Sequence, residues 1–379
     1  MILIKNIEVY APMFIGIKDV LIVNDKIALI EDKIKEFTEK LEIIDGLGKR
    51  LIPGFIDNHV HITGGGGEGS FKTRAPEITL SKLIVGGITT VVGLLGTDSI
   101  TRSVENLIAK AKALKEEGIS AYVMTGSYDY PSVTITGSVK KDIAFIDEVI
   151  GVKIALSDHR SPSVSIDELA RLASDARVAG MLSGKPGMVA AHMGNGDVGL
   201  GLINEVLSKT EIPVKTIRPT HVNRKKELLL EAYEYAKKGG IIDLTCGISD
   251  MSPSKAIVEA EQCNVPLENI TVSSDGYGSW SKYDEYGNIT EMGVSSVSSI
   301  FNEFKYMVNE LNFNIEKALM FFTINVAKAI EVYPKKGTIQ ENSDADLLIV
   351  GDKLNIETVI ANGKIMFHRG ETLAKGTYE

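Results

Sequence analysis

The sequence predicts an α/β fold, a (β/α)8 TIM-like barrel carrying a small β-sandwich domain formed from both chain termini. Three observations lead there. Eight apolar β-type runs alternate with helix-like segments through the middle of the chain. Both ends have a different texture, short strands separated by turn residues. Neither end buries enough apolar surface to stand alone, so the two are expected to pair.

In chain order, residues 2–10, 19–23 and 26–30 are β-rich, the last two separated by the turn signal Asn24-Asp25. Ile43-Ile44 and the segment 46–48 lead into Leu51-Ile52-Pro53. The barrel strands are expected at 54–62, 89–95, 121–125, 149–156, 187–193, 216–221, 241–246 and 269–274. Near-continuous apolar strands alternating with helices imply a parallel sheet covered on both faces. Eight units match a closed barrel, and no GxGxxG after the first strand favours a doubly wound sheet instead. Between the strands, apolar residues recur at three-to-four spacing, as in Val104, Leu107, Ile108, Ala111 and Leu114. At the far end, 345–350 is a strand, and Asn362-Gly363 joins 358–360 to 364–367 as a hairpin. The expected division is 1–52 plus 334–379 for the small domain and 53–333 for the barrel.

Composition narrows the function. Lys and Arg total 41 against 50 Asp and Glu, a net charge of −9, which disfavours bulk nucleic-acid binding. No apolar run is long enough to span a bilayer, and the N-terminus lacks the pattern of a secretory signal. Two widely separated cysteines, Cys246 and Cys263, suggest a reducing compartment. The expectation is a cytoplasmic globular protein with no membrane partner.

The chemistry concentrates at strand ends. His59 and His61 are two residues apart on the first barrel strand and so share a face. The fifth strand ends near His192, the sixth near His221 and the eighth near Asp275. Each has an ordinary reading: a strand-end histidine caps a loop, and Asp275 before Gly276 makes an Asx-turn. Coincidence across four strands, at the face where barrel sites are built, points to a cation with imidazole and carboxylate ligands, such as zinc. Lys153 lies inside the apolar fourth strand, where an ammonium is costly. It either pairs with a carboxylate or loses its proton and reacts with CO2 to give a carbamate.

The run Pro53-Gly54-Phe55-Ile56-Asp57-Asn58-His59-Val60-His61, with the later His, His and Asp in order, resembles the amidohydrolase superfamily. Five further segments narrow it: Gly64-Gly65-Gly66-Gly67-Glu68, Gly151-Val152-Lys153, Ser157-Asp158-His159-Arg160, Pro219-Thr220-His221-Val222-Asn223-Arg224 and Ser273-Ser274-Asp275-Gly276. These resemble the isoaspartyl (β-aspartyl) dipeptidase family across nearly the whole chain, including 342–347. Ile154 and Tyr277 depart from the family's Cys and Asn, and Tyr277 is expected to reshape the near wall of the pocket.

The resemblance implies two zinc ions per subunit. His59, His61 and Asp275 would hold one, His192 and His221 the other, with N6-carboxylated Lys153 bridging. It implies a bridging hydroxide, with Asp275 as the base that takes its proton and the acid that protonates the leaving amine. Tyr128, just after the third strand, would stabilise the oxyanion. A β-aspartyl dipeptide carries one ammonium and two free carboxylates. Glu68 would hold the amino group and Arg160 and Arg224 the carboxylates, with Thr97, Ser279 and the Gly66 backbone adding hydrogen bonds. The glycine run is expected to form a flap that closes over a small substrate. The resemblance also implies a homo-oligomer, an octamer. Two alternatives remain: a cyclic amidohydrolase of the dihydroorotase or hydantoinase type, and a barrel kept as a non-catalytic scaffold.

Overall fold

Val149–Leu156 shows why a barrel forms, for all 8 of its residues are buried, as a parallel strand covered on both faces requires. The computed structural model describes residues 1–379, the side chain of Tyr283 excepted. Among the described residues, eight strands pair in chain order into one sheet. They are Phe55–Val60, Ile88–Gly93, Ser120–Gly126, Val149–Leu156, Met188–Met193, Ile217–Thr220, Ile242–Thr245 and Ile270–Ser273. The first and last meet through a backbone bridge from Val60 to Gly276. Asp57 reinforces this seam, its buried carboxylate accepting from the Ser274 amide and hydroxyl.

All eight expected runs carry a strand, but several end earlier than their apolar stretch. His61, His221 and Asp275 therefore stand just beyond strand hydrogen bonding. His221 and Asp275 take left-handed φ values of 64° and 50°, which turn the chain sharply at the barrel mouth. The helices pack outside as their periodicity predicts. Val104–Glu117 buries Val104, Leu107, Ile108, Ala111 and Leu114, is capped by Ser103 and stops at Gly118 with φ 115°. Ile166–Ser183 starts on a Ser165/Glu168 capping box.

Strands from both termini form a second, mixed sheet of 9 strands. Along Ile2–Tyr10, Ile2, Ile4, Ile7 and Val9 all reach one core, although their spacing changes parity. Asn6, at φ 56°, supplies the extra residue between Ile4 and Ile7 that makes this possible. Arg50–Pro53 pairs antiparallel with Leu347–Val350, which joins the two chain ends. The hairpin at Asn362-Gly363 has φ of 45° and 71°, the two left-handed residues of its tight turn.

One element had no sequence expectation. Ser279–Tyr283 and Ile289–Val294 form a separate two-stranded hairpin after the eighth barrel strand. Trp280 lies opposite Gly293, and a Cβ at Gly293 would stand 2.3 Å from the indole. Glycine there lets the ring lie across the partner strand.

Candidate metal centre and substrate pocket

The six expected ligands come together at one barrel mouth, all buried. Strand alternation turns His59 and Lys153 inward, with Lys153 Nζ 2.8 Å from His59 Nε2. The His59 and His221 rings are 4.7 Å apart, as are those of His192 and His221. Asp275 Oδ1 lies 3.2 Å from His61 Nε2 and 3.6 Å from His59 Nε2. Yet Asp275 Oδ1 and His61 Nδ1 are buried without a hydrogen-bond partner. Orphaned lone pairs and dry imidazoles are costly unless something electrophilic completes them. His59, His221 and Asp275 each offer a ligand atom within 4.8 Å of the others. The donor set fits divalent cations of the zinc type.

Burial sets the protonation states. It drives His59 and His221 well below the ordinary histidine value and His192 to about 3, so these rings are neutral and able to ligate. Burial likewise brings Lys153 down to about 7, leaving a large share as free amine near neutrality. For Asp275 burial pushes upward, but His61, Lys153 and His192 outweigh it and hold the carboxyl below its ordinary value.

Behind these donors stands a layer that sequence reasoning missed. Thr220 Oγ1 is 3.4 Å from His59 Nδ1 and donates at 2.8 Å to Asp243. Asp243 also accepts from Thr271 and Ser273, at 2.7 and 2.6 Å. Thr245 Oγ1 lies 2.9 Å from His221 Nδ1. Such partners orient metal-binding imidazoles. A carboxylate inside the apolar run 241–246 was the available signal, the same anomaly that singled out Lys153.

The expected substrate-binding residues converge on this cluster from six loops. The Tyr128 hydroxyl lies 2.9 Å from His192 Nδ1; burial raises its pKa, so it stays a donor. Arg160 is held by a fork on Asp158, Nε and Nη2 each at 2.9 Å. Asp158 Oδ2 is also 3.2 Å from His192 Nε2. Arg160 Nη1 reaches Glu68 Oε1 at 3.2 Å. Ser279 Oγ donates to Glu68 at 3.0 and 2.9 Å, and Thr97 Oγ1 lies 3.4 Å away. Arg224 follows His221 on a short 3-10 turn, and its Nε is buried without a hydrogen-bond partner. Gly66 joins these side chains in lining a cavity of about 1340 Å³, with Trp280 at its rim.

One expectation needs correction. Tyr277 does not form the near wall: it is absent from the cavity lining and its ring packs against the barrel's outer core. Only its carbonyl serves the site, accepting from Gly65 at 2.8 Å. The glycine run lies close against the returning limb of its own loop. A Cβ at Gly64 would lie 2.3 Å from the Ala75 carbonyl and one at Gly66 2.4 Å from that of Thr73. Glycine is required there because two limbs of chain touch.

The family model described as the amidohydrolase family matches residues 50–366. The β-aspartyl dipeptidase of Fervidobacterium islandicum AW-1, solved with a β-Asp-Leu dipeptide, is 43% identical with a TM-score of 0.92 over 98% of each chain. A dihydroorotase of Elusimicrobium minutum is 26% identical, covering 92% of this chain and 87% of its own. A D-hydantoinase from Thermus sp. has a TM-score of 0.69 over 99% of this chain and 97% of its own, at 18% identity, a likeness of fold alone.

Proposed function

The chain belongs to the amidohydrolase family, and from that premise we propose that it hydrolyses the β-aspartyl bond of isoaspartyl dipeptides. The observation that carries this reading is the pocket's charge pattern. Glu68, Arg160 and Arg224 line the cavity beside the donor cluster, Arg160 already paired with Asp158. A β-aspartyl dipeptide presents the complementary set, one ammonium and two carboxylates. A ring amide without an ammonium offers Glu68 nothing in exchange for its bond from Arg160, and dihydroorotate, with one carboxylate, could engage only one of the two arginines. This weighs against a dihydroorotase-like activity despite the similarity over the whole chain. The complete set of six donors weighs against a non-catalytic scaffold.

Two zinc ions would be held by His59, His61, His192, His221, Asp275 and Lys153, the lysine bridging as a carbamate. Its free amine would form a C–N bond to CO2 and release one proton. When bound, the ions would acidify the attacking water and polarise the scissile carbonyl. Asp275 would accept the proton of that water and pass it to the departing amine, a transfer its ionised carboxylate suits. Tyr128, kept protonated by burial, would donate to the oxygen on which charge develops. Glu68 would exchange its bond from Arg160 for one from the substrate ammonium. Arg224 would take a carboxylate on its unpartnered side.

Beyond the site, the exposed run Met13, Phe14, Ile15 and Ile17 on the terminal sheet supports assembly into a homo-oligomer. Among the described residues no helix is long and apolar enough to cross a membrane, and both cysteines are free, which agrees with a cytoplasmic setting.

The deciding experiment is a hydrolysis panel of β-Asp-Leu, α-Asp-Leu and dihydroorotate on zinc-loaded protein. Only the first is expected to be cleaved; cleavage of dihydroorotate instead would replace this reading with the cyclic one. Arg224→Ala is expected to lower kcat/KM for β-Asp-Leu by about 10- to 100-fold, the worth of a charge-assisted hydrogen bond of about 1.5–3 kcal/mol. A substrate lacking the matching carboxylate should lose much less, and an equal loss on both would make Arg224 structural.

A further inference from the structure

We propose that Arg102 is a positioning residue: it clamps the two limbs of the glycine loop and thereby sets Glu68 where a substrate ammonium must bind. Its kinetic consequence rests on the dipeptidase reading; the clamp itself does not.

The loop runs out along residues 63–67 and returns along 73–75. Its limbs touch through a backbone bridge between Gly66 and Arg74 and through Ala75 N donating to Gly65 O at 2.9 Å. Arg102 enters between them. One terminal nitrogen donates to Thr63 O; the other reaches Gly65 O at 3.3 Å and Ala75 O at 2.6 Å. The first two carbonyls belong to the outgoing limb and the third to the returning one, so a single planar guanidinium spans both. Its side chain is buried. Among the described residues no carboxylate pairs with it, and its Nε makes no hydrogen bond. All three of its hydrogen bonds go to loop carbonyls.

Lysine would not replace it, since an ammonium presents a point charge where Arg102 presents a fork. Nor can side chains fill in: the limbs approach so closely at Gly64 and Gly66 that a Cβ would strike backbone oxygen. Arg102 also belongs to the stretch that carries Thr97, and Thr97 lies beside both Glu68 and Arg160. A partly exposed second tie, Arg74 Nη2 to Thr101 O at 3.4 Å, joins the same two segments. The clamp thus fixes Glu68 relative to Thr97, Arg160 and Ser279. Small displacements of such a group are expensive, because an ammonium bound off-centre loses its short contacts.

The test compares the zinc-loaded wild type with R102M and R102K, using two ligands that differ by one amino group: β-Asp-Leu as substrate and N-succinyl-leucine as inhibitor. Hydrogen exchange across residues 63–75 is followed in parallel. KM for β-Asp-Leu is expected to rise about tenfold or more with kcat changed by less than about threefold, while the inhibition constant of N-succinyl-leucine stays within about twofold. Exchange at 63–75 should accelerate while the barrel strands keep their protection. A parallel weakening of both ligands, or unaltered exchange in the loop, would overturn the proposal. Should R102M not fold, R102K gives the same readouts, because it keeps the charge and loses the span. A wild type that does not cleave β-Asp-Leu would end the dipeptidase reading, whereas the exchange measurement still decides whether Arg102 is the clamp.

Discussion

Asp275→Asn is expected to lower kcat for β-Asp-Leu by about 10²- to 10⁴-fold, the usual worth of a positioned proton-transfer group, with little change in melting temperature. The substitution is nearly isosteric, so the left-handed turn at Asp275 and the packing around it are preserved. What disappears is a basic oxygen. Asp275 Oδ1 faces His61 and His59, and its neighbours His61, Lys153 and His192 hold the carboxyl below its ordinary value against the pull of burial. An amide can occupy that position but cannot take up a proton. Turnover and metal content measured on one preparation separate the two roles. Near-normal metal with collapsed turnover places the loss in proton transfer; turnover like that of the wild type would remove Asp275 from the chemistry.

Lys153→Met is expected to weaken metal retention more than about 100-fold, beyond the loss typical of outer partners of a metal site, while the metal-free protein stays at least as stable as the metal-free wild type. The opposite signs arise from one fact. Lys153 is completely buried and burial drives its pKa to about 7, so the folded chain tolerates an amine there only at a cost. Methionine fills similar space without that penalty. Zinc analysis after dialysis and calorimetry of the stripped proteins read the two effects separately. Full zinc occupancy in the variant would exclude a bridging role for Lys153.

These expectations were legible to different depths in the chain. Barrel strands can be read from apolar runs because both faces are covered, so Val149–Leu156 announces itself, and so does any charged residue within it. Lys153 stood out for that reason, and Asp243 should have. The spacing of His59 and His61 is a strand property and carries directly into three dimensions. Groups that act through long-range contact were invisible. Nothing in Arg102 or Asp158 separates a buried fork from a solvated surface charge until the fold supplies the carbonyls and His192. The hairpin at Ser279–Tyr283 and Ile289–Val294 escaped because much of it is exposed and its sheet is closed on two strands, leaving no strong hydrophobic alternation. Tyr277 misled because sequence order places it between Asp275 and Ser279, whereas its φ of 59° swings the ring away from both.

The pairing of Arg50–Pro53 with Leu347–Val350 bears on how the protein is born. On the ribosome, the opening strands emerge first and can associate among themselves, with Leu51 beside Val9, but the other edge of that strand has no mate until Leu347–Val350 has been translated. During that interval an unsatisfied, greasy ribbon borders the nascent barrel, the kind of margin to which other chains adhere. Late arrival of Leu347–Val350 therefore does more than finish a small sheet: it seals a border that would otherwise stand open to other chains.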